Sequence, residues 1–236
     1  MTMQWTPQEL ALGFAWYAVF LFSIVVHEAA HAFAALHLGD ATAHRGGQVT
    51  LDPIPHIRRE PLGMILIPIL TFVTMGWAFG WASAPVNAMW AHRFPRRAAI
   101  VALAGPLSSL FLVLLAGFAL RIGLAFELLP SLPGLDIATA RAAVPEGLPG
   151  IFGALLGIVF TLNLILFVFN LIPVPPLDGS SIVPLFMGDL RAREYQRFMG
   201  RPGFLLVGIV VACWVFPYVF CPIHSVMLRL VFGGIL

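Results

Sequence analysis

His27-Glu28-Ala29-Ala30-His31 sets two imidazoles and a carboxylate within five residues, and no other His, Asp, Glu, Lys or Arg occurs between Leu10 and Leu36. In a helix, positions i and i+4 stack on one face, about 6 Å apart along the axis. Two imidazoles so placed can share one Zn²⁺, and a glutamate beside the first can act on water at the metal. A zinc hydrolase needs a third protein ligand and keeps a fourth position open.

The stretch from Asn170 through Pro173, Pro175, Pro176 and Leu177 to Asp178-Gly179 offers that ligand. Three prolines in four residues cannot continue a helix, because each lacks the amide and clashes with the turn before it. Asp178 therefore projects from extended backbone at the end of an apolar run, and Gly179 relieves the turn. Ionisable groups at membrane depth cost about 2.5–3.5 kcal/mol on insertion scales, which makes them functional candidates by default. The ordinary alternatives are a pair of buried structural histidines and an Asp-Gly turn.

The elements that must position these residues are apolar and long. Of the 236 residues, 60% are hydrophobic and only 10% are charged, against about 25% charged in a typical soluble domain. Uncharged runs of roughly the 18 residues that read as membrane spans cover about 10–38, 62–81, 98–120, 148–172 and 203–220, with a shorter segment at 223–236. The expectation is a single all-α polytopic membrane domain over 1–236 with five to six apolar segments. Residues 40–59 form a polar connection in which Gln48-Val49-Thr50-Leu51 alternates like a small strand or hairpin. The run 62–81 is broken by Gly63, Pro68, Gly76 and Gly80. Cys213 and Cys221 suggest no disulfide. A net charge of +2 is too small to argue for nucleic acid.

At these motifs the chain resembles the site-2 proteases, intramembrane zinc metalloproteases that pair HExxH in one helix with a distant LDG after a proline-rich helix end. The match is carried by His27–His31, by Ala104-Gly105-Pro106 and by residues 170–179, and it implies the small prokaryotic type without a PDZ or CBS domain. The resemblance implies a fold with three core helices carrying HExxH, AGP and LDG. It also implies one catalytic Zn²⁺ on His27, His31 and Asp178, with Glu28 as general base. Asn170 becomes a candidate second donor, although a helix cap or helix–helix hydrogen bond suits it equally. Asn163, seven residues earlier, is a candidate for the same polar strip, and Ala104-Gly105-Pro106 reads as close packing with a kink. The implied substrate is a transmembrane helix, which must unwind before a carbonyl can be reached, and the implied partners are that substrate and lipid.

Metal geometry and charge also bear on topology. One metal can meet His27, His31 and Asp178 only if the helices ending near 38 and 172 run in the same direction. That requires 62–87 to be re-entrant and not a full crossing. All 13 cationic residues are arginines. A full crossing at 62–81 divides Arg45 to Arg201 seven against five; a re-entrant segment leaves ten on one side, with only Arg121 and Arg141 on the other. The second split obeys the positive-inside rule. The sequence thus predicts a multi-pass protein of the cell membrane with its zinc toward the cytoplasmic side. A di-iron oxygenase would need further histidine pairs, which are absent. A metal transporter or an inactive metal-binding scaffold would keep the ligands without needing Glu28.

Overall fold

The computed structural model describes residues 6–75, 78–129 and 147–233. Four helices are long and apolar enough to cross a membrane: α1 (Pro7–Leu38), α6 (Pro95–Ala125), α7 (Gly147–Asn170) and α10 (Pro202–Phe232). Between them lie α2 (Thr42–Arg45), α3 (Pro53–Arg59), α4 (Ile67–Met75), α5 (Ala88–Arg93), α8 (Asp178–Ile182) and α9 (Asp189–Met199).

The central element is α6, which packs against α1 on one side and α7 on the other. Its buried positions include Ala99, Ala102, Gly105, Ser109, Ala116 and Gly117. In lipid, helices gain little from the hydrophobic effect, so small residues that allow close backbone approach decide where they meet. One apolar cluster joins Val113, Leu120, Phe160, Leu164 and Phe220 across α6, α7 and α10, and a second joins Phe20, Ile24, Met64, Ile158 and Leu162. Asn163 of α7, fully buried, donates to Ser23 Oγ of α1 at 2.9 Å and ties the two helices together.

Hydrogen bonds fix the helix directions. Arg97 at the start of α6 reaches Leu38 O at the end of α1 (3.3 Å), so these helices are antiparallel. Arg193 of α9 reaches Arg93 O at the same end (3.3 Å), and α10 begins there. At the opposite end Arg121 donates to Val231 O and Gly233 O (3.2 and 3.0 Å). Thus α1 and α7 run one way, and α6 and α10 run the other.

Residues 62–87 fold back on themselves. The chain leaves through a widened helical turn at Leu62–Leu66 and then α4, and returns over 78–87 as backbone with no regular secondary structure. On the return, Phe79 N–H donates to Thr71 Oγ1 (2.9 Å) and Trp81 N–H donates to Gly63 O (3.1 Å). Gly63 and Gly80 face each other so closely that a methyl on either would overlap backbone of the other limb. Asn87 N–H then donates to Asp40 Oδ2 (2.8 Å), which brings the segment back to the end of α1.

Two expectations are corrected. Gln48–Leu51 is a bend and no strand, and no strand occurs among the described residues. An isolated alternating tetrad has no partner for its backbone groups. Gln48 is instead buried and donates to Ser83 O (3.2 Å), while Asp52 accepts from Ile54 N–H (2.9 Å) and starts α3. The segments expected at 203–220 and 223–236 are one helix through Phe232, with Pro217 and Pro222 inside it. Phe220, His224 and Val231 are buried on its inner face, which holds the two halves in line. Most of the proline-containing connection at 127–149, and residues 234–236, lie outside the described residues.

Candidate metal centre

His27 and His31 sit one turn apart in the second half of α1, their rings edge-to-face at 4.8 Å between centroids. Each is aimed by α6. His31 Nδ1 lies 2.7 Å from Val101 O; a carbonyl can only accept, so Nδ1 carries the proton and Nε2 keeps its lone pair. His27 Nδ1 meets Ser109 Oγ at 2.9 Å. Between these contacts lies Gly105, where a methyl would overlap the Nε2 atoms of both rings.

Asp178 arrives from the other direction. The end of α7 unwinds through Pro173, Pro175 and Pro176; Asp178, expected to project from extended backbone, is instead the first residue of α8, and the extended residue is Leu177 before it. Gly179 lets the backbone fold over the helix end, where any side chain would strike the carbonyls of Leu171 and Ile172. Asp178 Oδ2 lies 3.1 Å from His27 Nε2 and 3.3 Å from His31 Nε2.

These residues fit a zinc ion. Ligands about 2.0–2.1 Å from a tetrahedral metal are about 3.3 Å from one another, which is the separation found between Oδ2 and the two Nε2 atoms. The outer nitrogens are engaged by α6, as is usual for metal-binding imidazoles. Glu28 is buried beside them, and the ligand atoms of His27, Glu28 and His31 all lie within 4.8 Å of one another. Its carboxylate makes no hydrogen bond among the described residues.

His27, Glu28, His31 and Asp178 face a cavity of about 710 Å³, closed by α7, by α10 and by residues 78–86 of the return limb. Asn170 lines it too, half-buried, with Nδ2 donating to Leu166 O (3.0 Å). Asn163 does not line it and is taken up by Ser23 and Val159 O. His56 is buried against Thr50 O (3.1 Å), away from the cavity. The sequence reading missed Ser109 and Val101. A hydroxyl four residues after Gly105 in an apolar span was the available signal for Ser109, whereas a backbone carbonyl leaves none.

The profile of Peptidase family M50 matches residues 137–213, the stretch that carries Asn170 and Asp178. A Bacillus subtilis protein named "Putative zinc metalloprotease YwhC" is 39% identical over 177 residues, covering 74% of this chain and 70% of its own. The chain belongs to Peptidase family M50, the site-2 protease family. Two mycobacterial proteins named "Putative zinc metalloprotease Rip2" are more distant relatives. That of Mycolicibacterium smegmatis is 29% identical over 82% of this chain and 65% of its own, and that of Mycobacterium tuberculosis 27% over 89% and 73%. No solved structure gives a significant match. This M50 chain is a membrane-embedded zinc metallopeptidase.

Proposed function

We propose that the chain is an intramembrane endopeptidase. In this reading it holds one zinc ion on His27, His31 and Asp178 and cleaves peptide bonds within or near transmembrane segments of other proteins. The observation that carries the reading is the convergence of those three donors beside Glu28, on a cavity walled by apolar helices and by the non-helical limb 78–86.

Zinc held there supplies Lewis-acid polarisation of the scissile carbonyl and a nucleophilic water that ionises near neutral pH. Glu28, buried and without a hydrogen bond among the described residues, would take a proton from the attacking water and pass it to the leaving amine. Asn170 commits one amide hydrogen to Leu166 O; its second is available to an oxygen that gains charge during attack. His27 and His31 keep their orientation through Ser109 and Val101. The apolar walls exclude bulk water and receive the substrate. Ala82, Ser83, Ala84 and Val86 line the same cavity as the ligands, and an unwound substrate segment could pair with this limb by strand addition.

Membrane sidedness follows from charge. Arg45, Arg58, Arg59, Arg93, Arg96, Arg97, Arg191, Arg193, Arg197 and Arg201 precede or follow the helix ends nearest Asp178, while Arg121 and Arg229 belong to the other end. The positive-inside rule then puts the ligand side of the cavity toward the cytoplasm and makes 62–87 re-entrant. Non-helical backbone at membrane depth is tolerated where it lines a cavity, and residues 78–84 and 86 line the one beside the metal centre. Single cysteines at Ala91 and Leu128, in a chain lacking Cys213 and Cys221, should label from opposite faces; labelling from one face would sink this topology.

The test of function is Glu28→Gln in the full chain, reconstituted with a transmembrane peptide. Cleavage should fall by roughly 10²–10⁴-fold, the usual contribution of a general base, with bound zinc unchanged. Undiminished cleavage would overturn the mechanism. A wild-type, zinc-loaded protein that cleaves no membrane peptide yet moves or stores metal would point to transport or scaffolding.

A further inference from the structure

Of the four long helices, α10 is the least enclosed: 17% of its most apolar window is buried, against 39–50% for the other three. Yet one face of it is pressed against the loop that presents Asp178. Gly208, Ala212 and Phe216 follow one another at helical spacing on that face. Gly208 is buried, and a methyl there would overlap the carbonyl oxygen of Pro175 and lie 2.9 Å from its carbon. The obstacle is backbone, so no side chain can swing aside. Ala212, 0% exposed, packs with Ile172 and Leu177. Phe216 meets Phe169 edge-on at 5.4 Å between ring centroids. Gly203, earlier in the same helix, has nothing within 4 Å of where a methyl would stand.

The loop needs such support. Three of its residues are prolines, which donate no backbone hydrogen bond, and among the described residues its ties are all local: Ile172 N–H on Phe169 O, Val174 N–H on Ile172 O, Leu177 N–H on Val174 O, and the Ser180 N–H and hydroxyl on Leu177 O. Such bonds shape the loop but do not fix it against the rest of the bundle; its contact with α10 does.

We propose that α10 positions the metal ligand Asp178, with Gly208 and Ala212 as the positioning residues. The Gly208–Pro175 contact sets how far the loop stands from α1, and hence where the carboxylate meets the two imidazoles. The proposal rests on the assignment of His27, His31 and Asp178 as zinc ligands.

The experiment uses the full chain in lipid nanodiscs and measures zinc affinity by chelator competition, the visible spectrum of the Co²⁺-substituted protein, and thermal stability. Gly208→Ala should weaken zinc binding by roughly 10–100-fold, the range for groups that orient a ligand, and should change the cobalt spectrum. Ala212→Gly loosens the same contact without a collision; it should shift both readouts the same way by less, and lower kcat more than raise KM. Gly203→Ala should be indistinguishable from wild type. Gly117→Ala, whose methyl would press on Phe160 and Val231 at 3.2 Å in the distant cluster, should lower stability and leave zinc affinity alone.

Wild-type zinc affinity and cobalt spectrum in folded Gly208→Ala, or in Ala212→Gly should the first not accumulate, would overturn the proposal. Asp178→Ala separates the two levels. Zinc retained in that variant would remove the ligand assignment and this proposal with it. Zinc lost there but held normally in both α10 variants would remove this proposal alone.

Discussion

The two walls of the cavity are held by opposite means. On the metal side, α1, α6 and α8 bring together imidazoles and a carboxylate whose free atoms are nearly all spoken for: His27 by Ser109, His31 by Val101, Asp178 by both histidines. On the far side, residues 78–86 have no helix, and the limb is held at discrete points. Phe79 hangs on Thr71, Trp81 on Gly63, Ser83 on Gln48, Arg59 and Glu60, and Asn87 on Asp40. The side chains this limb turns to the cavity are mostly small or apolar. A metal tolerates only small errors in ligand position, so its wall is locked side chain by side chain. In the proposed function the far wall accepts peptides of varied sequence; it offers backbone and apolar surface, and it can be anchored from behind.

That contrast can be broken most sharply on the metal side. Asp178→Ala or His31→Ala should abolish both zinc binding and cleavage; metal analysis giving one zinc per chain in either would contradict the ligand set. Gly105→Ala comes next, because its methyl would occupy the space of both Nε2 atoms. We expect roughly 10–100-fold weaker zinc binding with the helices still assembled, readable by circular dichroism alongside metal titration.

Substitutions on the far wall should spare the metal. Gly80→Ala would wedge the return limb away from Gly63. The expected outcome is unchanged zinc stoichiometry with a several-fold higher KM for a transmembrane peptide. Loss of zinc in this variant would show that the walls are coupled.

The smallest effect concerns an anchor. Asp40 is buried at the end of α1 and accepts bonds from Thr42 N–H, the Thr42 hydroxyl and Asn87 N–H. Burial raises its pKa, but these bonds and the Arg45 charge outweigh that and lower it overall. A carboxyl depressed in the folded state stabilises at pH above its ordinary value of about 4 and loses that contribution as pH falls through the folded value. Asp40→Ala should cost about 1–3 kcal/mol at neutral pH, from the donors it strands. Its disadvantage in thermal denaturation should shrink under strong acid.

Much of the centre was legible in the sequence because its determinants are local. The i, i+4 spacing of His27 and His31 needs only a helix, and the prolines before Asp178 dictate an unwound presentation wherever the chain goes. The tally of arginines called for a segment that leaves and returns, and Gly63 and Gly80 carry the two limbs' closest approach. Other expectations depended on partners that no local pattern reveals. Gln48–Leu51 alternates like a strand but has no second strand to pair with. The stretch was divided into apolar segments at 203–220 and 223–236, yet α10 continues through Pro217 and Pro222 because its inner face is packed on both sides of them. Asn163 was grouped with Asn170 by spacing, and instead faces Ser23.

By itself, then, the amino-acid sequence pointed to the candidate ligands, set the two histidines in an apolar helix, and required α1 and α7 to point the same way if one metal is to meet all three. Those conclusions follow from residue chemistry, helical periodicity and charge counting. Only the tertiary structure decided what holds those atoms in place. Ser109, the Val101 carbonyl, the empty side of Gly105 and the Gly208–Pro175 contact matter through the shape of a neighbouring element. A hydroxyl, a carbonyl and a missing methyl leave no periodic or charged trace along the chain.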